Sequence, residues 1–352
     1  MACSNLGKVS IIIPVYNEEK YIDENYRALC RQRYEDIEII YIDDGSTDST
    51  SERLETIAQN DGRVRLVHRE NGGPAAARNS GLELATGDYL VFLDADDELG
   101  DDAISIMAEA MVCYCVDFVM TDVVRVDSKG ISLHKPWREH SLYLEDRKRL
   151  ARVLRDYLND ERNNRILCSV WGKLYRREII EKHSIRFDET MRVHEDELFF
   201  FTFLVHANSG FYKQEYLYTY YRNRNNTGLS AVRENPLGFE RHLDIIREYL
   251  LSLVKEERKR NYILSLYGNA YCDYAISACY NLVRLSHGIS PRLYLDVRRV
   301  VYRRAFQQNV RNYRYRNKDN YPVVVKALCS GHVLVAILGL KIQIAQQNIG
   351  RK

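Results

Sequence analysis

The sequence has no apolar run of the roughly 20 residues that a helix needs to span a bilayer. The nearest, 323–345, is broken by Lys326, His332 and Lys341, and it reads as core or as a segment lying in a membrane interface. The 8 cysteines show no Cys-x-x-Cys spacing, and Cys113 and Cys115 stand too close for an ordinary bridge. That argues against a disulfide framework and leaves reduced thiols, as in a cytoplasmic protein. No secretory segment is visible ahead of the first apolar stretch. Internal repeats, low-complexity linkers and a nucleophilic triad are also missing. The formal net charge is only +2, and nothing points to nucleic acid as a partner.

The charge that is present is unevenly spread. Residues 240–352 hold 20 Lys and Arg against 8 Asp and Glu, a net +12, which leaves −10 for residues 1–239. An acidic front suits cations. A basic tail suits anionic lipid or a phosphorylated partner, or is a set of solvated helix faces. With 352 residues, 45% of them apolar, there is material for one large α/β unit and an appendage. A soft boundary at Asn235-Pro236 separates 1–235 from a basic, helical 236–352.

The first hundred residues alternate between two periodicities. Val9–Pro14, Ile37–Ile42, Val64–Val67 and Tyr89–Leu93 are short apolar runs of the kind buried in parallel sheets. Between them lie helical patterns over Glu18–Tyr34, after Ser49, where Glu52 completes a capping box, and over Pro74–Ala85. Strands separated by helices predict a parallel sheet with right-handed crossovers, which binds ligands at its carboxyl ends. Both acidic clusters, Asp43-Asp44 and Asp94-Ala95-Asp96-Asp97, fall at such ends. Carboxylates crowded there are costly unless solvated or bound to a cation, and hard oxygens suit Mg²⁺ or Mn²⁺. Further on, Phe118–Val124 reads as a strand, and Tyr216, Tyr218 and Tyr220 as one aromatic face of another.

Four segments together resemble the family 2 glycosyltransferases. They are Val9-Ser10-Ile11-Ile12-Ile13-Pro14-Val15-Tyr16-Asn17-Glu18, Ile42-Asp43-Asp44-Gly45-Ser46-Thr47-Asp48, Asn71-Gly72-Gly73-Pro74-Ala75-Ala76-Ala77-Arg78-Asn79-Ser80-Gly81, and Gly87-Asp88 through Asp97. Weaker similarity continues at Trp171–Arg177, at Glu195-Asp196 with Phe199 and Phe200, and at Tyr221-Arg222-Asn223-Arg224. It covers roughly the first 230 residues. The resemblance implies a GT-A fold, a Rossmann-like, mostly parallel sheet with flanking helices, followed here by a helical C-terminal extension. It also implies metal-dependent transfer of a hexosyl or N-acetylhexosaminyl group, with inversion, from a nucleotide sugar to an acceptor hydroxyl. By the same resemblance Pro14, Tyr16 and Glu18 line the nucleoside pocket and Asp43 bonds a uracil edge. Arg78 supports the base or the phosphates, Asp94 serves donor and metal, Asp96 ligates Mn²⁺ or Mg²⁺, and Asp196 is the general base.

Each assignment has a plainer rival. Tyr16 and Trp171 are equally at home in a core, and Asp44 and Asp97 as helix caps. Glu195 competes with Asp196 as the base, and His194 is a metal ligand or a bystander. Arg222 and Arg224 sit in a polar loop, Arg222–Thr227, that either closes over a diphosphate or is solvated. A sugar nucleotidyltransferase is disfavoured because Tyr16-Asn17-Glu18-Glu19 stands where a basic Gly-rich loop belongs. A receiver domain would carry its acidic pair after the first strand. A non-catalytic sugar-binding relative needs no base. The donor expected is a UDP-sugar. The acceptor expected is a saccharide, lipid-linked and met at the inner membrane face through the basic C-terminal region, as in surface polysaccharide assembly.

Overall fold

The structure, a computed structural model, describes residues 6–127, 130–133, 136–159, 167, 169–191, 193–221, 238–286, 288–310, 313 and 322–349. The chain divides into two compact units. One comprises 1–153, 162–191 and 195–225, the other 154–161, 192–194 and 226–352. The expected boundary at Asn235-Pro236 lies outside the described residues, as do Arg222, Arg224 and the rest of their loop.

The first unit is built on a mixed sheet. Strands β1 (Val9–Val15), β2 (Ile37–Asp43), β3 (Val64–His68) and β4 (Tyr89–Phe92) run parallel in the order β3-β2-β1-β4. Ile11, Ile12 and Ile13 of β1 are fully buried, so both faces of the strand are covered and each side chain stabilises the sheet by about 1.5–3 kcal/mol. Beyond β4 the sheet departs from the parallel pattern read in the sequence. The strands β5 (Glu98–Leu99), β6 (Phe118–Asp127), β7 (Gly130–Leu133), β8 (Leu142–Leu144), β9 (Lys173–Arg176) and β10 (Gly210–Tyr221) complete it. β9 lies between β4 and β6, antiparallel to both, while β6 and β10 pair in parallel. The expected aromatic face of β10 is interrupted by a register shift between Tyr216 and Tyr218. Tyr218 and Tyr220 stack on Trp171, at 4.9 and 5.7 Å between centroids.

The helices of this unit are α1 (Ile22–Cys30), α2 (Thr50–Asn60), α3 (Pro74–Leu84), α4 (Ala103–Cys113), α5 (Arg147–Asn159), which continues into the second unit, α6 (Arg177–Lys182) and α7 (Glu195–His206). Helix α1 is shorter than its apolar pattern, because Glu18 to Tyr21 form a turn in which the Glu18 carbonyl accepts from Tyr21 and Ile22. The capping box expected at Ser49 is not formed. Asp48 instead accepts the Thr50 N–H at 3.0 Å. Helix α3 lies close on the sheet because it presents small residues. A Cβ on Gly81 would come within 2.3 Å of Ile12 Cγ2, so any larger residue there would lift the helix and carry Arg78 with it.

The second unit is helical, with Glu240–Ser252, Glu257–Arg284, Pro291–Val301, Arg304–Val310, Pro322–Cys329 and Val333–Ile349 as its main elements. In the last helix Val333, Ala336, Ile337 and Leu340 are buried, whereas Leu334, Val335, Leu338 and Ile342 are 51–60% exposed. The apolar run at 323–345 is therefore core on one side and open on the other. Among the described residues no helix is long and apolar enough to cross a membrane.

Candidate active site

The loops that follow β1 and β2 are joined into one wall. Asn17 takes a left-handed backbone, φ +56°, a conformation Asn tolerates better than most residues. Its N–H donates to Ser46 Oγ at 3.0 Å and its Oδ1 accepts the Thr47 N–H at 2.8 Å. The next N–H, of Glu18, donates to Thr50 Oγ1 at 2.8 Å. Pro14 and Glu18 are half-buried along this wall. Tyr16 is 44% exposed, so its ring is not a core element.

Asp43 and Asp44 close β2 and are both buried. Asp43 accepts the Ser46 N–H at 3.0 Å on one oxygen, and contacts Ser51 Oγ and His68 Nδ1 on the other. Burial raises its pKa, but those hydrogen bonds outweigh it and leave the carboxyl below its usual range. Asp44 does not cap α2. It accepts the N–H groups of Gly72 and Gly73 and pairs with Arg69, fixing the loop that leads into α3.

The cluster closing β4 alternates in burial. Asp94 and Asp96 keep part of their surface open, while Ala95 and Asp97 are buried. Asn25, on the buried face of α1, donates to the carbonyls of Asp94 and Asp97 at 3.3 and 3.1 Å, and Tyr41 in turn donates to Asn25. Asp97 caps no helix. It accepts the Tyr218 hydroxyl at 2.7 Å and the Tyr221 N–H at 2.8 Å. Burial first, and the neighbouring charges of Asp94 and Asp96 second, push its pKa well above the carboxylate range. Sequence reasoning missed Asn25, and placed Tyr218 on an aromatic face without its bond to Asp97. A buried Asn on the apolar face of α1 was the available signal for the first.

Arg78 brings the separate parts together. From the buried face of α3 it donates to Asp94 at 2.9 Å and to Asp196 at 2.8 Å, with Glu195 at 3.7 Å. Its Cζ lies 5.3 Å from the Phe187 ring centroid. Burial would lower its pKa, but Asp196, Asp94 and Glu195 more than compensate, so it stays charged. Asp196 sits in the first turn of α7 with a side chain 20% exposed. Burial raises its pKa, Arg78 draws it down, and Glu195 and Asp94 push it up again, to about 7. Lys173 on β9 is fully buried, donates to the Ser169 carbonyl at 2.6 Å and also lowers the Asp196 pKa. Asp196 is thus both a helix N-terminal charge and the ion-pair partner of Arg78. The ring of His194 packs among Phe239, His242 and Tyr274.

Even with Asp97 held protonated, Asp94, Asp96, Glu195 and Asp196 outnumber the cations Arg78 and Lys173 around them. A divalent ion suits that balance, and Asp94 and Asp96 offer partly exposed hard-oxygen ligands at a strand end.

A parallel β3-β2-β1-β4 core, with an acidic cluster where β4 ends, defines the GT-A class of α/β folds. Solved structures of that class superpose on it. Residues 1–349 of S. aureus TarS, in complex with UDP-GlcNAc, match 95% of this chain and 90% of that one, with TM-score 0.68 at 20% identity. The mannosyltransferase PcManGT from Pyrobaculum calidifontis, in complex with GDP-Man and Mn²⁺, matches 99% and 89%, with TM-score 0.52 at 17% identity. The family model described as Glycosyl transferase family 2 matches residues 10–184. The glycosyltransferase YibD of Escherichia coli K12 is 30% identical over 292 residues, 81% of this chain and 80% of that relative. EpsJ of Bacillus subtilis strain 168, also a glycosyltransferase, is 33% identical over 240 residues, and the match spans 67% of this chain and 66% of that relative's length. The chain belongs to glycosyl transferase family 2.

Proposed function

We propose that the protein transfers a sugar from a UDP-linked donor to an acceptor hydroxyl with inversion, using Asp196 as the general base. The observation that carries this reading is the geometry: the Asp196 carboxyl is ion-paired at 2.8 Å to buried Arg78, which also holds Asp94 at 2.9 Å. A carboxylate held within reach of an attacking hydroxyl takes its proton, for about 10²–10⁴-fold in rate, and burial, which raises the Asp196 pKa, favours that role. Arg78 fixes the direction of that carboxylate and keeps it within reach of the acidic strand end. Pro14, Tyr16 and Glu18 form the nucleoside wall in this reading, with Tyr16 offering an exposed ring to the base. Asp43 braces the wall from behind through Ser46 and Ser51.

Asp94 and Asp96 would hold Mn²⁺ or Mg²⁺, which when bound supplies positive charge to the departing nucleoside diphosphate. The UDP donor is supported by the bound ligand of the TarS structure. For the acceptor, a lipid-linked saccharide met at a membrane surface is supported by the open apolar side of helix Val333–Ile349 beside a basic unit.

A thermal-shift screen of nucleotide sugars tests the donor assignment, since a ligand stabilises the fold according to its affinity. UDP-sugars should raise the melting temperature, and more with Mn²⁺ than without. Equal response to every nucleotide, or to none, would overturn it. Truncation before residue 320 should weaken sedimentation with anionic vesicles. Unchanged binding would remove the membrane contact.

A further inference from the structure

The second unit contains a cleft of about 1190 Å³ that the transfer chemistry leaves unexplained. Small-molecule sites commonly measure about 300–1,000 Å³, so this one has room for a disaccharide-sized ligand. Six arginines line it, against three carboxylates. Two of the three carboxylates are committed to neighbours, and the third is Asp296. Glu240 pairs with Arg303 at 3.0 Å and accepts from the Tyr271 hydroxyl. Asp244 pairs with Arg247 at 2.9 Å and accepts from the Tyr267 hydroxyl at 2.8 Å.

Those bonds have two consequences. They hold Arg247 over the Tyr267 ring, 4.7 Å from its centroid, and fix the buried rings of Tyr267 and Tyr271 beneath the cleft. They also offset the charge of Glu240 and Asp244, so that Arg292, Arg299 and Arg304, with no ion-pair partner among the described residues, outnumber the remaining carboxylate, Asp296. Arg292 and Arg299 project from helix Pro291–Val301 and Arg304 opens the next helix. Guanidinium groups recognise phosphate oxygens in bidentate fashion, and aromatic faces suit the C–H patches of sugar rings. The tyrosines of the cleft are Tyr267, Tyr271 and Tyr302, the last with Arg298 at 5.5 Å from its ring.

We propose that this cleft binds a phosphorylated saccharide, its phosphate or diphosphate held by Arg292, Arg299 and Arg304 and its sugar set against the exposed ring of Tyr302. The ligand's phosphate belongs to a free sugar phosphate or to a lipid headgroup, and the recognition chemistry is the same for both. The site does not depend on the sugar-transfer reading, and its test measures binding rather than transfer.

The experiment is calorimetric titration of the full chain with inorganic pyrophosphate in the presence of a chelator, which silences any metal-dependent donor site. Wild type and an Asp94→Ala/Asp96→Ala variant should bind alike. An Arg292→Gln/Arg299→Gln/Arg304→Gln variant should bind at least about tenfold more weakly, the loss of charge-assisted hydrogen bonds. Its melting temperature and its stabilisation by UDP with Mn²⁺ should match wild type, showing an intact fold. Sedimentation with phosphatidylglycerol-containing vesicles separates the sources. Parallel loss of vesicle binding supports a lipid headgroup, and unchanged vesicle binding supports a free phosphorylated saccharide. The proposal is overturned if the triple variant binds pyrophosphate like wild type, or if the Asp94→Ala/Asp96→Ala variant loses it equally. It is also overturned if wild type binds vesicles but no pyrophosphate.

Discussion

Arg78 and Asp196 are 118 positions apart in sequence and 2.8 Å apart in space. That contact joins α3, at the first half of the sheet, to α7, and it sets the protonation behaviour of the proposed base. Removing the guanidinium takes away the largest influence lowering the Asp196 pKa. Arg78→Ala should therefore move the acid limb of the pH–rate profile above its wild-type position, and cut kcat/KM by about 10²–10³-fold through lost positioning. A pH profile of transfer by both proteins checks this. A limb that stays in place would break the proposed link between the two residues.

Substituting the base separates chemistry from binding. Asp196→Asn should lower transfer by about 10²–10⁴-fold while UDP still stabilises the protein. Glu195→Gln, whose carboxylate stands farther from Arg78 at 3.7 Å, should keep most of the activity. If the two variants exchange these phenotypes, Glu195 is the base.

Tyr16 should matter for the donor and not for the fold. Because its ring is 44% exposed, Tyr16→Ala should leave stability within about 0.5 kcal/mol and weaken UDP binding by about tenfold, the worth of one aromatic contact. Titration calorimetry alongside urea unfolding reads both quantities.

Two buried carboxylates should respond to pH with opposite sign. Glu38 accepts bonds from Ser10, Lys8 and Thr86. Burial raises its pKa, but these bonds prevail and hold it at about 2. Its contribution is present above the ordinary Glu pKa and is lost as pH falls towards 2. Glu38→Ala should cost about 2–3 kcal/mol at neutral pH, and the difference should shrink in acid. Asp97 is the reverse case, since its native carboxyl holds a proton to higher pH than the unfolded chain does. Stability should fall as pH rises above the ordinary Asp pKa, and Asp97→Asn should remove that dependence. Urea midpoints measured across pH for both variants decide the matter.

The β1 to β4 core was legible because parallel strands covered on both faces write continuous Ile and Val runs, as Ile11–Ile13 do. The antiparallel half was not. Lys173–Arg176 is only four residues long and owes its place to pairing with β4 and β6, which no local periodicity records. At the site, Arg78, Asp94 and Asp196 stood out as motif residues, but the bridge between them spans long sequence separations. Asp97 and Asp44 were misread as caps for the same reason. Their partners, Tyr218 and the Gly72–Gly73 amides, lie on other elements and become visible only when the chain is folded.

The most direct measurement is release of UDP from UDP-sugars by the purified protein with a saccharide acceptor. Mn²⁺ present, Mn²⁺ chelated and the Asp196→Asn variant are the arms to compare. A metal-dependent release with at least one UDP-sugar, abolished by the chelator and nearly abolished in Asp196→Asn, is the predicted result. No release from any nucleotide sugar with Mn²⁺ or Mg²⁺, or undiminished release by Asp196→Asn, would contradict it.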